Sequence, residues 1–275
     1  MLQSIARKLF RRLTGDKSDL REAESYLKRE PFPEAEVRRR LPSFVTHKSW
    51  EVRNVGIKLI ERLQDPDLYQ VLLETVRAGT ESGIVVRNAI TAIRRLGLKT
   101  PEAEIALQRA LSVRYWEARC EAIRAMAELF DYSPTRSELL INTLRPKTDA
   151  DGAVCLQETN FEIRAAVAVA LGGFGRPETA MPVLESLAAD PHWLVRHQAA
   201  VAITELCRRH PEAVPRAART LESIDMLSEG CRSDFLFPQT VVSLREALHN
   251  GLAQMDPAAI RAMYIDMNHG WNRKR

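Results

Sequence analysis

The chain has 275 residues and a net charge of +4, with 45% hydrophobic, 28% charged and only 6% aromatic residues. This composition excludes a disordered, collagen-like or membrane-embedded polypeptide, and no uninterrupted apolar stretch approaches the ~20 residues of a bilayer span. The four cysteines (Cys120, Cys155, Cys207, Cys231) lie far apart without a CxxC pair, which reads as reduced thiols of a cytoplasmic protein and not as a disulfide framework or zinc cage.

Residues 1–16 form the first predicted element, a basic amphipathic helix. Leu2, Ile5, Ala6, Leu9, Phe10 and Leu13 recur at helical spacing, opposite Arg7, Lys8, Arg11 and Arg12. Such a helix suits an anionic membrane surface, which makes residues 2–13 a candidate peripheral membrane contact. It suits equally the uncovered apolar end of a repeat stack. The continuous apolar core and small-residue cleavage site of a secretory signal are missing. Residues 1–14 carry +4, and the basic tail 268–275 adds Arg273, Lys274 and Arg275. Subtracting these seven charges from the net +4 leaves −3 for residues 15–267. Duplex binding requires a basic stripe along the body, so nucleic acid is disfavoured as a partner.

From residue 34 onward the chain repeats. Trp50-Glu-Val-Arg53, Ile84-Val-Val-Arg87, Trp116-Glu-Ala-Arg119, Phe161-Glu-Ile-Arg164 and Trp193-Leu-Val-Arg196 align without gaps. Their arginines are 34, 32, 45 and 32 residues apart. The long interval holds an insertion at 146–158, whose polar composition is that of a surface loop. With the bulky residue at zero, apolar residues fall near +2, +6, +9, +10 and +13, as in Val52, Gly56, Leu59, Ile60 and Leu63. At 100° per residue these share one helix side.

An amphipathic helix precedes each segment, at Glu34–Val45, Asp67–Ala78, Pro101–Leu111, Thr135–Leu144 and Pro177–Ala188. Prolines at 66, 101, 134 and 177 stand where first turns belong. A sixth, degenerate unit starts at Phe235 after a second insertion near 223–233, with Val241, Leu244 and Leu248 on core offsets and Pro238 in place of the arginine. A last short helix spans 257–267. No period-two alternation appears, so no strands are expected.

Helix pairs of about 32 residues with Asp-Pro-x-x-x-Val-Arg at the turn resemble HEAT repeats, specifically the short bacterial, E-Z/PBS-lyase-like type. Arg176–Leu206 carries the resemblance best, and it extends over roughly residues 34–253. It implies an all-α fold, a right-handed α-solenoid of about six HEAT-like pairs over 17–267, with the second helices lining a concave face. It further implies a structural ladder in which Arg53, Arg87, Arg119, Arg164 and Arg196 bond acids lying six residues before an arginine, namely Glu81, Glu158 and Asp190. His47 and Val113 replace the acid in the other two units. Trp50, Trp116 and Trp193 occupy the zero position and are expected to pack as wedges.

Catalytic signatures are lacking. No histidine pairs with a carboxylate at metal-binding spacing, and no nucleophile motif or phosphate loop occurs, so neither a metal nor a cofactor is expected. The helix side opposite the core presents Asn54, Asn88 and Arg124 in the first units, then Ala165, Val169, Leu194, His197 and Val201 in the later ones. An apolar surface of that kind marks an interaction site unless the 146–158 insertion folds over it. The expected function is a non-catalytic scaffold that binds a partner protein or peptide along the concave face. The generic repeat also resembles the bilin lyases of phycobiliproteins, so a tetrapyrrole-handling protein is the alternative, ahead of nucleic-acid binding.

Overall fold

Helix starts follow the local turn chemistry. The computed structural model describes residues 17–78, 81–145, 147–148, 154–155, 158–224, 236–250, 252 and 256–265. It contains α1 (residues 17–28), α2 (Glu34–Val45), α3 (Trp50–Leu63), α4 (Tyr69–Ala78), α5 (Gly83–Arg95), α6 (Pro101–Ala110), α7 (Trp116–Leu129) and α8 (Pro134–Asn142). The two short strands β1 (Lys147–Thr148) and β2 (Val154–Cys155) follow. Then come α9 (Phe161–Phe174), α10 (Pro177–Ala188), α11 (Trp193–Arg209), α12 (Val214–Ser223), α13 (Leu236–Asn250) and α14 (Pro257–Ala262).

Proline begins α6, α8, α10 and α14, where its missing N–H removes a donor that has no helical partner. Thr100, Ser133, Asn160 and Asp256 cap α6, α8, α9 and α14 by accepting first-turn N–H groups at 2.9–3.2 Å.

The chain divides into two compact units, Met1–Ala125 and Met126–Arg275, with the division inside α7. In the first, α2 packs on α3 and α4 on α5, while α3 meets α5 and α4 meets α6. In the second, the pairs are α8 with α9, α10 with α11 and α12 with α13. There α9, α11 and α13 pack in succession, and so do α8, α10 and α12. First helices thus stack on first helices and second on second. One pair alone cannot bury its apolar faces, and each relies on its neighbours. The core offsets point into these layers: Val52, Leu59, Ile60, Ala118, Ala122, Ile163, Leu171, Val195, Leu206, Val241 and Leu244 are all fully buried. Burying a Leu, Ile or Val side chain contributes about 1.5–3 kcal/mol.

Three features differ from the sequence expectation. The 146–158 insertion carries a two-rung antiparallel ladder, Lys147 opposite Cys155 and Thr148 opposite Val154, although no strand was expected. Two residues per strand are too few to write an alternating pattern. Helix α1 adds a layer against α2: Glu22 receives both arms of Arg40 at 2.8 and 2.7 Å, and Tyr26 packs on Phe44. Hydrogen bonds from Arg40 hold the Glu22 carboxyl below its ordinary value. The last helix stops at Ala262, short of the expected 267. The amphipathic segment 1–16, most of both insertions and the tail 268–275 lie outside the described residues.

Candidate functional site

The repeated arginine sits one turn into each second helix. Arg53 donates from Nε and Nη2 to Glu81 at 3.1 and 2.7 Å. Arg164 makes the corresponding fork to both oxygens of Asp190, at 2.7 and 2.9 Å, with both side chains nearly buried. Asp190 also accepts the His192 N–H at 2.8 Å. Parallel N–H donors matched to two carboxylate oxygens give a directional, charge-assisted link between successive pairs.

A second function of these arginines was not read from the sequence. Arg53, Arg164 and Arg196 each donate Nη1 to two carbonyls of their own turn, those of residues six and five positions earlier, at 2.6–3.0 Å. The fixed distance between arginine and turn was the available signal. Arg119 donates to the Leu111 carbonyl, and Glu158 accepts the Asn160 N–H. Among the described residues, Arg87 reaches only Asn88 Oδ1, at 3.4 Å. His47, standing where an acid would, instead faces Asp19 of α1 at 3.2 Å.

In the first unit, the second-helix face opposite the core is polar and half-exposed. Asn88 Nδ2 donates to Asn54 Oδ1 at 2.7 Å, one repeat apart. Arg95 pairs with Glu61 at 2.8 Å, and Arg94 with Glu121 at 2.8 Å. Arg124 contacts the same Glu121 at 3.5 Å.

In the second unit this face is covered. Ala165, Leu194, His197 and Val201, expected to line an open groove, are buried, and Val169 is half-buried. Part of the cover is the chain's own residues 256–265, with Phe237 of α13 against the His197 ring. Helix α14 packs on α11. His197 Nε2 meets the Met263 carbonyl at 2.8 Å, and Gln198 donates to the Ile265 carbonyl at 2.8 Å while accepting its N–H at 3.4 Å. Glu205 accepts from Arg261 at 3.1 Å and from the Tyr264 hydroxyl at 2.8 Å.

Burial, then the Glu205 charge and hydrogen bond, push the Tyr264 phenol well above its ordinary range. Gly172 makes the closeness possible. A Cβ there would lie 2.6 Å from both the Ala202 Cα and the Tyr264 hydroxyl oxygen. The small, apolar character of α9 and α11 therefore serves packing on two sides.

Burial raises the Cys207 thiol to about 12, which removes its thiolate. Burial likewise lowers the pKa of His192, whose ring stacks on Phe161 at 3.8 Å. Among the described residues, no group of three or more His, Cys, Asp or Glu side chains could hold a metal ion. No helix among them is long and apolar enough to cross a membrane.

Stacked helix pairs joined through arginine and acid at their turns define an all-α solenoid. A family model for HEAT repeats matches residues 152–226, the stretch that includes α9 to α12. That stretch carries HEAT repeats, and the same helix pairing continues on both sides of it. Nothing among curated proteins matches the chain.

Proposed function

We propose that this protein is a non-catalytic scaffold that binds a partner protein or peptide on its second-helix face. HEAT repeats commonly serve as interaction scaffolds. One observation carries the reading: His197, four residues after the bulky start of its unit, holds a main-chain carbonyl of a polypeptide segment laid across α11. Asn54 and Asn88 occupy the same position in their units. Each carries an amide able to donate and accept towards a main chain, and both are half-exposed. Arg124, further along the same face, adds a cation for orientation.

His197 holds the chain's own segment, and Ala165, Leu194 and Val201 are buried beside it in the core, so a charge introduced at Val201 would disrupt packing before it tested binding. The informative variant is Asn54→Ala with Asn88→Ala, at positions where truncation leaves the core intact. Wild-type protein and this variant, used as paired baits in native lysate and compared by quantitative mass spectrometry, should differ at least about tenfold in retained partner. Equal recovery of the same proteins on both baits would contradict the reading.

A further inference from the structure

The arginine of α5 stands apart from its counterparts. Arg53 and Arg164 close on a carboxylate from the following helix pair and on two carbonyls of their own turn. Arg87 does neither: among the described residues its guanidinium reaches only Asn88 Oδ1. The cause lies in the next turn, where the position that supplies Asp190 to Arg164 holds Val113. A cation is thus held where the repeat elsewhere places a carboxylate, with no carboxylate in place.

Beside it lies a recess of about 330 Å³, lined by Trp50, Gly83, Ile84, Arg87, Tyr115 and Glu117. That volume is at the small end of ligand sites and accommodates one or two side chains. Trp50 and Ile84, 38% and 45% exposed, are two of the four large apolar side chains most exposed among the described residues. Trp193, the counterpart of Trp50, is packed against Phe237 instead. Gly83 lets Tyr115 form the wall, since a Cβ there would lie 2.4 Å from the ring. The Arg114 guanidinium lies 4.6 Å over that ring and adds a second positive charge. Glu117 also lines the recess but makes no ion pair with Arg87.

We propose that this recess binds an Asp or Glu side chain of a partner peptide, with a neighbouring apolar side chain of that peptide lying on Trp50 and Ile84. The fork of Arg53 and Arg164 matches a carboxylate, and Glu117 opposes an anion of higher charge such as a phosphate. The site lies at the turn edge and adjoins Asn88, whose Oδ1 accepts from Arg87 at 3.4 Å; it rests on Arg87 and the recess, not on what binds along the second-helix face.

The test titrates full-length protein with two acetylated, amidated tetrapeptides, Ala-Asp-Phe-Ala and Ala-Asn-Phe-Ala, by calorimetry. The Asp peptide should bind at least about tenfold more tightly than its amide isostere. Arg87→Gln should remove that difference, and Val113→Asp, which restores the missing acid, should block the Asp peptide while raising the melting temperature. Equal affinity for the two peptides in the wild type, binding of neither, or a preference that survives Arg87→Gln would overturn the proposal.

Discussion

The Tyr264 hydroxyl donates to Glu205 Oε2 at 2.8 Å, joining residues 59 positions apart across α11. Arg261 occupies the other oxygen of the same carboxylate. Tyr264→Phe would leave a buried acceptor without its donor, at a cost of about 1–3 kcal/mol. The loss should be local, because stability in stacked repeats is roughly a sum over neighbours. Amide exchange should therefore accelerate in residues 256–265 and stay unchanged in α2 to α5. Unchanged protection of 256–265 would show that the hydroxyl does not hold this segment.

The arginine–acid links of the two units should differ in strength because they differ in exposure. The side chains of Arg164 and Asp190 are 10% and 7% exposed, those of Arg53 and Glu81 21% and 20%. Asp190→Ala strands a nearly buried guanidinium and removes the acceptor of the His192 N–H, an expected loss of about 3–5 kcal/mol. Glu81→Ala leaves Arg53 closer to water, with its turn carbonyls still bound, and should cost about 1 kcal/mol or less. Denaturant midpoints of the two variants, measured side by side, check the order.

What could be read from the sequence was what the repeat period encodes locally. Val52, Leu59, Ile60 and their equivalents fall on core offsets, and proline sits at the helix starts, because both signals act within one or two turns. The paired acid and arginine were legible as a spacing, Asp190 six residues before Arg196, though Asp190 itself serves Arg164. The cover over α11 was not legible. Leu194, His197 and Val201 looked like an open groove on a helical wheel that assigns one buried side per helix. Residues some 60 positions downstream supply the second buried side. Helix α11 is buried continuously from Leu194 to Cys207, and that run includes Arg196, His197, Gln198, Thr204 and Glu205, polar side chains that read as solvent-facing until their partners are seen. Helix α1 escaped because Ala23 and Tyr26 are too few buried positions to establish a period.

Alkaline pH should loosen the fold both at this covered face and at α1. Tyr264 is held well above the ordinary phenol value by burial and by Glu205, and Tyr26 is pushed up to about 12 by burial and by its bonds to Glu36 and Glu22. A phenol with a raised folded pKa keeps its proton after the unfolded chain has released it near pH 10. Its contribution is therefore complete below about pH 10 and is lost as pH rises towards the folded value. Each phenol should add about 1.4 kcal/mol of destabilisation per pH unit in that window. Stability measured from pH 9 to 12 should fall with a slope that Tyr264→Phe makes shallower. An identical slope in the variant would mean that Tyr264 titrates normally.

Adjacent glycines near the end of α9 should respond in opposite directions to the same substitution. At Gly172 a Cβ would meet Ala202 backbone at 2.6 Å, and α9 and α11 would have to separate to admit it. Overpacking of this kind costs about 1–3 kcal/mol, and separation of these helices also disturbs the seat of Tyr264. At Gly173 a Cβ meets nothing within 4 Å, so alanine there gains helix propensity worth about 0.5–1 kcal/mol and disturbs no packing. Gly172→Ala should lower the denaturation midpoint and Gly173→Ala should raise it. If both variants were stabilised, the close approach of α9 to α11 would be refuted, and with it the account of why these two helices are built from small residues.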